Sequence, residues 1–325
     1  MPLSDIEIAQ AVQIASLLEA STAKPGNVYP NKSFKDLNYH HFLYSSAAVF
    51  PAFLNLEHKL VGEIILKGVK ETHSFIRTNT NLGILLLTSP LAAAYVSLRQ
   101  KNLISGKSEE ELRKILQQEV SAVLKKLSKK DAELAYQAIN HSKAGNLDKV
   151  EEGDIKDQVD LTLYQAMELA QSRDQIAAEY VSNFGLTFDF AYPVFKKNQN
   201  KFTRIEDAVI QSYLEILAEY PDSLIARKWG YDFAAVISQK TNNLLEKLKN
   251  IKDRQLREKE IRKFDDYLRS KDKKINPGTT ADFIAAVIFL TILISGKKII
   301  NNWANWGGNK KWINLKEMFK KKSLN

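Results

Sequence analysis

Four clusters of polar residues separate the apolar helical stretches of this sequence, and they are the segments whose residue types could carry chemistry. The first runs from Glu19 through Lys24 to Val28 and is followed by Lys35 and Asp36, so it contributes two lysines and two carboxylates around a Pro-Gly pair. Lysines and free backbone amides bind phosphate, whereas carboxylates bind Mg²⁺ or a sugar hydroxyl. Taken alone, however, this segment is more simply explained as the end of a helix with solvated charges.

The second cluster is residues 77–81, Arg-Thr-Asn-Thr-Asn, directly before the apolar stretch that begins at Leu82. A Thr or Asn acting as N-cap accounts for one or two of these five polar residues. A helix N-terminus set in a deep core is also a ready site for an anion. Asn79 and Asn81 are therefore candidates for ligand binding, and capping remains the alternative.

The two further clusters, in segments 220–230 and 276–282, combine carboxylates with cations or hydroxyls that suit phosphate. Their candidate residues are Asp222, Ser223, Arg227, Lys228, Thr279, Thr280 and Asp282. Each segment also has a purely structural explanation, because Asp222 can cap a helix and Thr279 with Asp282 resembles a capping box.

Several familiar sites are missing from the sequence. It contains neither of the common phosphate loops, GxGxxG and GxxxxGK[ST], and no HExxH zinc motif. The five histidines show no spacing typical of a metal site. Because the chain has no cysteine, disulfides, thiolate nucleophiles, iron–sulfur clusters and cysteine-ligated zinc are excluded.

Apolar residues recur at helical spacing along almost the whole chain, and this pattern predicts the elements that hold the clusters. The low counts of Gly (13) and Pro (8) argue against a β protein rich in tight turns. We predict an all-α fold, a single large multi-helix domain with buried apolar helices. Thr187–Ala191 is the best candidate for a strand, and Pro90 should kink or break its helix. The predicted helices cover residues 6–18, 42–56, 61–76, 82–100, 109–127, 131–140, 155–184, 205–218, 234–249, 253–268 and 281–294.

The 325 residues, 44% hydrophobic and 26% charged, are typical of a soluble globular chain and not of a disordered one. The net charge of +9 is concentrated at the C-terminus, since residues 296–325 carry +7 and the rest only +2. We therefore predict a helical domain over 1–296 and a basic appendix over 297–325. The appendix either packs its tryptophans on the body, which we favour, or contacts an anionic partner such as lipid or nucleic acid. Its tryptophans are Trp303, Trp306 and Trp312.

The sequence predicts neither a membrane span nor a targeting segment. The first ten residues contain two acids and no basic stretch, unlike a signal peptide. The longest apolar runs, 82–96 and 283–294, are shorter than the roughly 18 residues that a spanning helix needs. We expect these runs to be buried core helices and the protein to be cytoplasmic.

Taken together and in order, the four clusters resemble the motifs of the triphosphoribosyl-dephospho-CoA synthase family, over roughly residues 19–295. The early Glu and Pro-Gly loop of that family are similar to Glu19 and Ser21–Val28, and its Asn-Thr-His-Lys-Gly motif is similar to Asn79–Gly83. The other similar segments are Asp36 with Phe42 and Ser45, Asp131-Ala132, Asn146-Leu147, Arg173–Ala177, Asp222 with Arg227 and Gly230, and Asn276–Asp282.

The chain departs from the family pattern at two places. Asn81 and Leu82 stand where the family has His and Lys, so a cation that could neutralise a phosphate is missing there. Gly278-Thr279-Thr280 stands where the family has Gly-Gly-Ser. These departures indicate a divergent member, whose acceptor could differ from dephospho-CoA.

The resemblance implies an enzyme that moves the triphosphoribosyl group of ATP to the ribose 2′-hydroxyl of 3′-dephospho-CoA, or of a related acceptor, and releases adenine. It implies ATP as substrate, Mg²⁺ as its companion and a transition state with oxocarbenium character. The expected catalytic or metal-binding acids, between which the sequence does not choose, are Asp36, Asp222 and Asp282. The expected substrate-binding residues are Glu19, Lys24, Lys35, Asn79, Asn81, Asp174, Arg227, Lys228, Thr279 and Thr280.

Two other classes of function stay open at the level of sequence. A metal-dependent ribosyl or nucleotide hydrolase on a similar helical scaffold would use water in place of the acceptor alcohol. A non-catalytic helical binding protein would use the same clusters only as helix caps.

Overall fold

The computed structural model describes residues 1–142, 160–270 and 274–305. Over these residues the protein is helical, with an isolated bridge between Tyr29 and Lys32 and no strand, so the predicted all-α fold is confirmed. The α-helices are α1 (Asp5–Ser21), α2 (Tyr39–Ala48), α3 (Val61–Phe75), α4 (Leu82–Gln100), α5 (Glu109–Lys125), α6 (Lys129–Ser142), α7 (Leu163–Ala170), α8 (Gln175–Val181), α9 (Tyr192–Lys201), α10 (Ile205–Glu219), α11 (Ser223–Trp229), α12 (Tyr231–Lys249), α13 (Arg254–Leu268), α14 (Gly278–Ser295) and α15 (Lys298–Asn305).

Two helices with apolar side chains on every face, α4 and α14, form the centre of the core. Every residue of α14 from Phe283 to Ile294 is buried, and the helix packs against α1 and α4. By length and composition both helices could cross a membrane, but 78% of the apolar window of α4 and 83% of that of α14 are buried inside the protein. They are core helices, as predicted, because a helix that is apolar all round needs neighbours on all sides.

Helix α4 continues through Pro90, so of the two predicted effects, a kink or a break, the break is wrong. Proline has no N–H, and it therefore leaves the carbonyl of Leu86, four residues earlier, without its helical partner. The Tyr180 hydroxyl donates a hydrogen bond of 2.8 Å to that carbonyl. A buried side chain from α8 thus replaces the missing backbone donor, and the proline is tolerated in the core.

The long helix predicted over 155–184 is wrong for its described part, which is divided into α7 and α8. The chain turns at residues 171–174, and the Asp174 side chain accepts from the amides of Ile176 and Ala177, which starts α8 afresh. Residues 155–159 lie outside the described part of the chain.

The strand predicted at Thr187–Ala191 is also wrong, because residues Leu186–Ala191 form a π-helix that leads into α9. The buried carboxylate of Glu179 accepts from the amides of Leu186 and Thr187, at 2.9 Å each. This cap starts a helical turn where the residue types alone favour a strand. Burial raises the pKa of Glu179 to about 7.

Helices α5 and α6 flank the core, α5 against α4 and α6 against α3. Gly62 of α3 allows α3 and α6 to approach closely, because a Cβ there would lie 2.7 Å from the backbone oxygen of Asp131. Asp131 in turn accepts from the Gly62 amide and from Ser128, which ties the start of α6 to the start of α3. The similar segment at Asn146-Leu147 lies outside the described residues.

The last described helix, α15, begins the predicted appendix. Trp303 is buried, and its ring meets Phe195 of α9 edge to face at 6.5 Å between centroids. For Trp303, this contact agrees with the prediction that the tryptophans of the appendix pack on the body. Trp306 and Trp312 lie among residues 306–325, outside the described part of the chain, so the division at residue 297 stays a prediction.

Candidate active site

The N-termini of four helices, α4, α8, α11 and α14, meet at one end of the core. Gln175 at the start of α8 accepts from the Ser223 amide of α11, at 3.0 Å. The Ser223 hydroxyl donates to the hydroxyl of Thr279 in α14, at 3.1 Å. Gly83 in the first turn of α4 lies against Asp282 of α14. Because each helix N-terminus has a partial positive charge, this convergence favours bound anions.

Asp222 is the centre of the hydrogen-bond network and is fully buried. Its Oδ1 accepts from the amides of Leu224 and Ile225, so it caps α11. Its Oδ2 accepts from the amide and the hydroxyl of Thr280, at 2.7 and 2.8 Å, so it also fixes the start of α14. Burial raises the pKa of Asp222, while these hydrogen bonds oppose the shift. All four donors come from the protein, and Asp222 therefore positions the two helices that hold Asp282 and Arg227.

Replacing Asp222 by alanine should lower the free energy of unfolding by about 3 kcal/mol or more, because several buried donors lose their acceptor. Urea unfolding measures this loss. Asp253→Ala is the matched control, since Asp253 caps α13 at an exposed position through one hydrogen bond and its loss should cost about 1 kcal/mol. Equal losses in the two variants would show that Asp222 is an ordinary cap.

Asp282 differs from Asp222 although both lie near a helix N-terminus, Asp222 as the N-cap of α11 and Asp282 five residues into α14. Its carboxylate makes no hydrogen bond or ion pair with any residue that the structure describes, although the residue is mostly buried. A Cβ at Gly83 would lie 2.1 Å from its Oδ2, so the carboxylate rests directly on the first turn of α4. Burial, and then the negative charges of Glu19, Asp222 and Asp174, raise the pKa of Asp282 well above its usual range.

Asp174 and Arg227 lie beside Asp282 and shift its pKa in opposite directions. Asp174 caps α8 with Oδ1, while its Oδ2 lies 3.7 Å from an Nη1 of Arg227. The Asp174 carboxylate raises the pKa of Asp282 and the Arg227 guanidinium lowers it. Both side chains are partly exposed, so this pair forms the solvent-facing wall of the site.

The Asp174→Asn substitution should move the acid limb of the pH–activity profile to lower pH. Asn caps a helix about as well as Asp, so α8 is kept. Loss of one neighbouring negative charge lowers the pKa of Asp282, and the deprotonated carboxylate then persists to lower pH, by roughly half a unit to one unit. The profile of kcat/KM at saturating Mg²⁺ measures the shift. A shift to higher pH would contradict the coupling between the two carboxylates.

The first cluster supplies a buried ion pair under the site. Lys24 and Glu19 are both buried, and their Nζ and Oε1 atoms are 2.8 Å apart. The ammonium group also donates to the backbone oxygens of Glu19 and Thr22. All three donors of Lys24 are therefore used inside the protein. Glu19 contributes negative charge to Asp282, but Lys24 has no donor left for a phosphate in this arrangement.

Another buried carboxylate, that of Asp265, holds the loop that follows Lys24. Gly26 has φ +79°, and a Cβ there would lie 2.8 Å from Pro277 Cδ, so the turn needs glycine. The Gly26 amide and the Tyr29 hydroxyl donate to Asp265, at 2.7 and 2.8 Å. Arg269 donates to Asp265 as well, and its guanidinium lies over the rings of Tyr29 and Phe34. Sequence reasoning did not identify Asp265 or Arg269, because they are more than 230 residues from their partners.

Asp36 lies at the rim of the site. Its side chain is 79% exposed and pairs with Lys274 at 3.3 Å. Hydrogen bonds from its own backbone amide and from Lys274, together with the charge of Lys228, lower the pKa of Asp36. Lys35 and Lys228 are exposed. The lysines of this rim, Lys35, Lys228 and Lys274, outnumber Asp36, whereas Asp222 and Asp282 place negative charge in the interior, where Glu19 is paired with Lys24.

The second cluster shapes the start of α4 without capping it fully. The Nδ2 of Asn81 donates to Thr72 and not to the helix, and Thr80 shares a hydrogen bond with Ser45. Asn79 Oδ1 accepts from the Leu82 amide at 3.2 Å. The amides of Gly83 and Ile84 have no acceptor among the described residues. These two donors are available to an anion beside Asp282.

No group of three or more His, Asp or Glu side chains at metal-binding spacing occurs in the described ranges 1–142, 160–270 and 274–305. The structure does not bring Asp36, Asp222 and Asp282 together, since Asp222 accepts four hydrogen bonds from the protein and Asp36 is at the rim, and their expected role in metal binding stays a prediction. Mg²⁺ in nucleotide sites is commonly held by one or two carboxylates together with substrate phosphates. Asp282, with unused oxygens, and Asp174 Oδ2, which accepts no hydrogen bond from a described residue, fit that kind of site.

Comparison with known proteins gives two findings. A family model described as ATP:dephospho-CoA triphosphoribosyl transferase matches residues 5–300. The chain is also similar to a solved structure from Archaeoglobus fulgidus that is assigned as a triphosphoribosyl-dephospho-CoA synthase. The two chains are 25% identical, and the superposition covers 77% of this chain and 97% of that one with a TM-score of 0.57. No curated protein sequence matches this chain.

Proposed function

The chain belongs to the ATP:dephospho-CoA triphosphoribosyl transferase family, and we propose that it performs this transfer where the N-termini of α4, α8, α11 and α14 meet. It is a transferase enzyme of the triphosphoribosyl-dephospho-CoA synthase type. In the proposed reaction the anomeric carbon of ATP is joined to the ribose 2′-hydroxyl of dephospho-CoA, and adenine leaves.

The observation that carries the proposal is the uncommitted carboxylate of Asp282. A carboxylate that has no hydrogen-bond or ion-pair partner among the described residues, and that lies near three other acids, is costly to the fold. Asp222 fixes α11 and α14 through four hydrogen bonds, so the fold holds the Asp282 carboxylate in place despite its energetic cost. A carboxylate with a strongly shifted pKa is typical of a catalytic site.

We assign Asp282 as the general base of the transfer. It accepts the proton of the acceptor 2′-hydroxyl while that oxygen forms a bond to the anomeric carbon. The bond from this carbon to adenine breaks, and its electron pair leaves with adenine, which takes a proton from solvent. A pKa raised toward the working pH suits this role. The negative charge of Asp174 and Glu19 favours the positive charge that develops on the ribose.

The triphosphate is proposed to lie on the free amides at the start of α4. Gly83 and Ile84 offer two backbone donors, and Arg227 lies beside Asp174. Magnesium that enters with the triphosphate would be held by its phosphates and by Asp174, and it supplies positive charge that offsets the phosphate charge. Asn79, whose side chain is exposed in the loop before α4, is proposed to contact the ribose or the base.

Of the other expected residues, we assign Thr279 and Thr280 a structural role, because their hydroxyls form hydrogen bonds with Ser223 and Asp222. Lys228 and Lys35 remain proposed phosphate contacts at the rim. The expected cytoplasmic location is likewise a proposal, supported by the need for ATP and by the absence of cysteine.

Mass spectrometry of the acceptor tests the proposed function. The protein is incubated with ATP, Mg²⁺ and dephospho-CoA, and we expect dephospho-CoA to gain the mass of one triphosphoribosyl group. Release of adenine without any adduct would indicate a ribosyl hydrolase. Absence of both adenine and adduct would indicate a binding protein, and either result would overturn the proposal.

A further inference from the structure

The junction of α11 and α12 combines two exposed aromatic rings with an exposed cation. Trp229, the last residue of α11, is 42% exposed, and Tyr231, the first residue of α12, is 67% exposed. Gly230 between them has φ +88°, and no other heavy atom beyond its chain neighbours lies within 4 Å of where a Cβ would stand. Lys228 directly precedes the tryptophan. We call residues 228–231 the aromatic corner, which is open to solvent.

Charged residues of both signs lie near the aromatic corner, Lys228 within it and Asp232 directly after it. Lys228 and Lys274 both act on one carboxylate, that of Asp36, which is exposed and forms its ion pair with Lys274. Lys35 is adjacent to Asp36 in sequence and is also exposed. Lys35, Lys228 and Lys274 outnumber the exposed acids of the same segments, Asp36 and Asp232, by one, and the excess positive charge is available to an anionic ligand.

The aromatic corner is one short helix away from Asp282. Helix α11 has seven residues, which corresponds to about 10 Å between its ends. Asp222 fixes the N-terminus of α11 to α14. Arg227, near the C-terminus of α11, is close enough to Asp282 to lower its pKa. A nucleotide whose ribose lies at Asp282 can therefore reach the aromatic corner with its base or its 5′-diphosphate.

We propose that the aromatic corner binds the adenosine diphosphate part of the acceptor, an inference that rests on the proposed function. The rings of Trp229 and Tyr231 stack on adenine, because nucleobases stack on aromatic side chains irrespective of hydrogen-bond pattern. Lys228 and Lys274 contact the diphosphate.

The acceptor fits the aromatic corner better than the donor does. The donor triphosphate already has the free amides of α4 in the interior, whereas the acceptor diphosphate needs separate cations. Dephospho-CoA also has a long pantetheine arm that must extend into solvent. The open surface around Gly230 gives that arm an exit, while an interior position would not.

Steady-state kinetics of Trp229→Ala test the assignment. We expect the KM for dephospho-CoA to rise about tenfold or more, because one stacking contact is lost, while the KM for ATP stays within twofold. Trp229→Phe should retain most of the affinity. Lys228→Ala should raise the same KM and reduce its dependence on salt.

Tyr267→Ala is the matched control. Tyr267 is 39% exposed on α13, close to the value for Trp229, and it packs on Lys240. Lys240 is nine residues along α12 from Tyr231, about 13 Å away. The KM for dephospho-CoA should not change in this variant.

Three outcomes overturn the inference. A rise in the KM for ATP alone would assign the aromatic corner to the donor, an unchanged KM for both substrates would leave it without a ligand, and an equal rise in Tyr267→Ala would show a nonspecific effect. If the wild-type protein forms no adduct, the proposed function fails separately. Titration with ADP then decides, since loss of ADP affinity in Trp229→Ala supports the aromatic corner and equal affinity contradicts it.

Discussion

Asp282→Asn should abolish transfer and at the same time raise the melting temperature. The amide cannot accept the acceptor proton, so kcat should fall about 10²–10⁴-fold. The carboxylate has no partner among the described residues and faces Glu19, Asp222 and Asp174, so its removal relieves repulsion. We expect Tm to rise by about 2 °C at neutral pH.

The sign of the stability change depends on pH. Because the folded protein raises the pKa of Asp282, this group stabilises the fold below its unfolded pKa and loses that contribution as pH rises through the folded value. The advantage of the Asn variant should therefore be present at neutral pH and should disappear in acid, where the wild-type carboxyl is protonated. Calorimetry at several pH values measures it.

Asp253→Asn is the control for this substitution, because Asp253 is an exposed cap of α13. It should change neither kcat nor Tm appreciably, since Asn caps about as well as Asp. Wild-type activity in Asp282→Asn would show that the carboxylate is not the base. A lower Tm at neutral pH would show that it has a structural partner.

Gly83→Ala should lower the activity of the enzyme without weakening the fold. A Cβ at this position would lie 2.1 Å from Oδ2 and 2.5 Å from Cγ of Asp282, so the carboxylate must move away. The displaced atoms are the end of a short side chain, which can rotate at little cost. Alanine is also the better helix former, by up to about 1 kcal/mol. We expect Tm to be unchanged or higher and kcat to fall at least about tenfold.

Gly185→Ala is the matched control for Gly83→Ala. Gly185 also has helical backbone angles, but the nearest atoms to its Cβ would be those of Ser182, at 3.5 Å. The control should keep full activity. Full activity in Gly83→Ala would mean that the position of Asp282 against α4 is not needed for transfer.

The helical architecture follows from local pattern, because apolar periodicity and polar boundaries lie within each segment. Helix α4 begins at Leu82 and ends at Gln100, as the periodicity predicts. The tolerance of Pro90 could not be predicted, since the donor that replaces its missing N–H is the hydroxyl of Tyr180, 94 residues from Leu86. The π-helix at Leu186–Ala191 likewise depends on the buried carboxylate of Glu179.

The candidate site is predictable as a set of segments but not in the roles of its residues. Asp222 and Asp282 have a similar sequence setting, near the start of a helix. They differ because Thr280, 58 residues away, donates twice to Asp222, whereas no described residue donates to Asp282. Gln175 stands beside Asp174 in a segment that the sequence did single out, yet its bond to Ser223 becomes evident only when α8 and α11 meet.

The ratio of adenine released to adduct formed, followed in one reaction, tests the central claim most directly. Transfer at the junction of the four helices predicts one adenine per triphosphoribosyl-dephospho-CoA at every time point, and no adenine when dephospho-CoA is omitted. It also predicts that Asp282→Asn lowers both products together. Adenine release that is independent of the acceptor, or an adduct that forms normally in Asp282→Asn, would contradict the account.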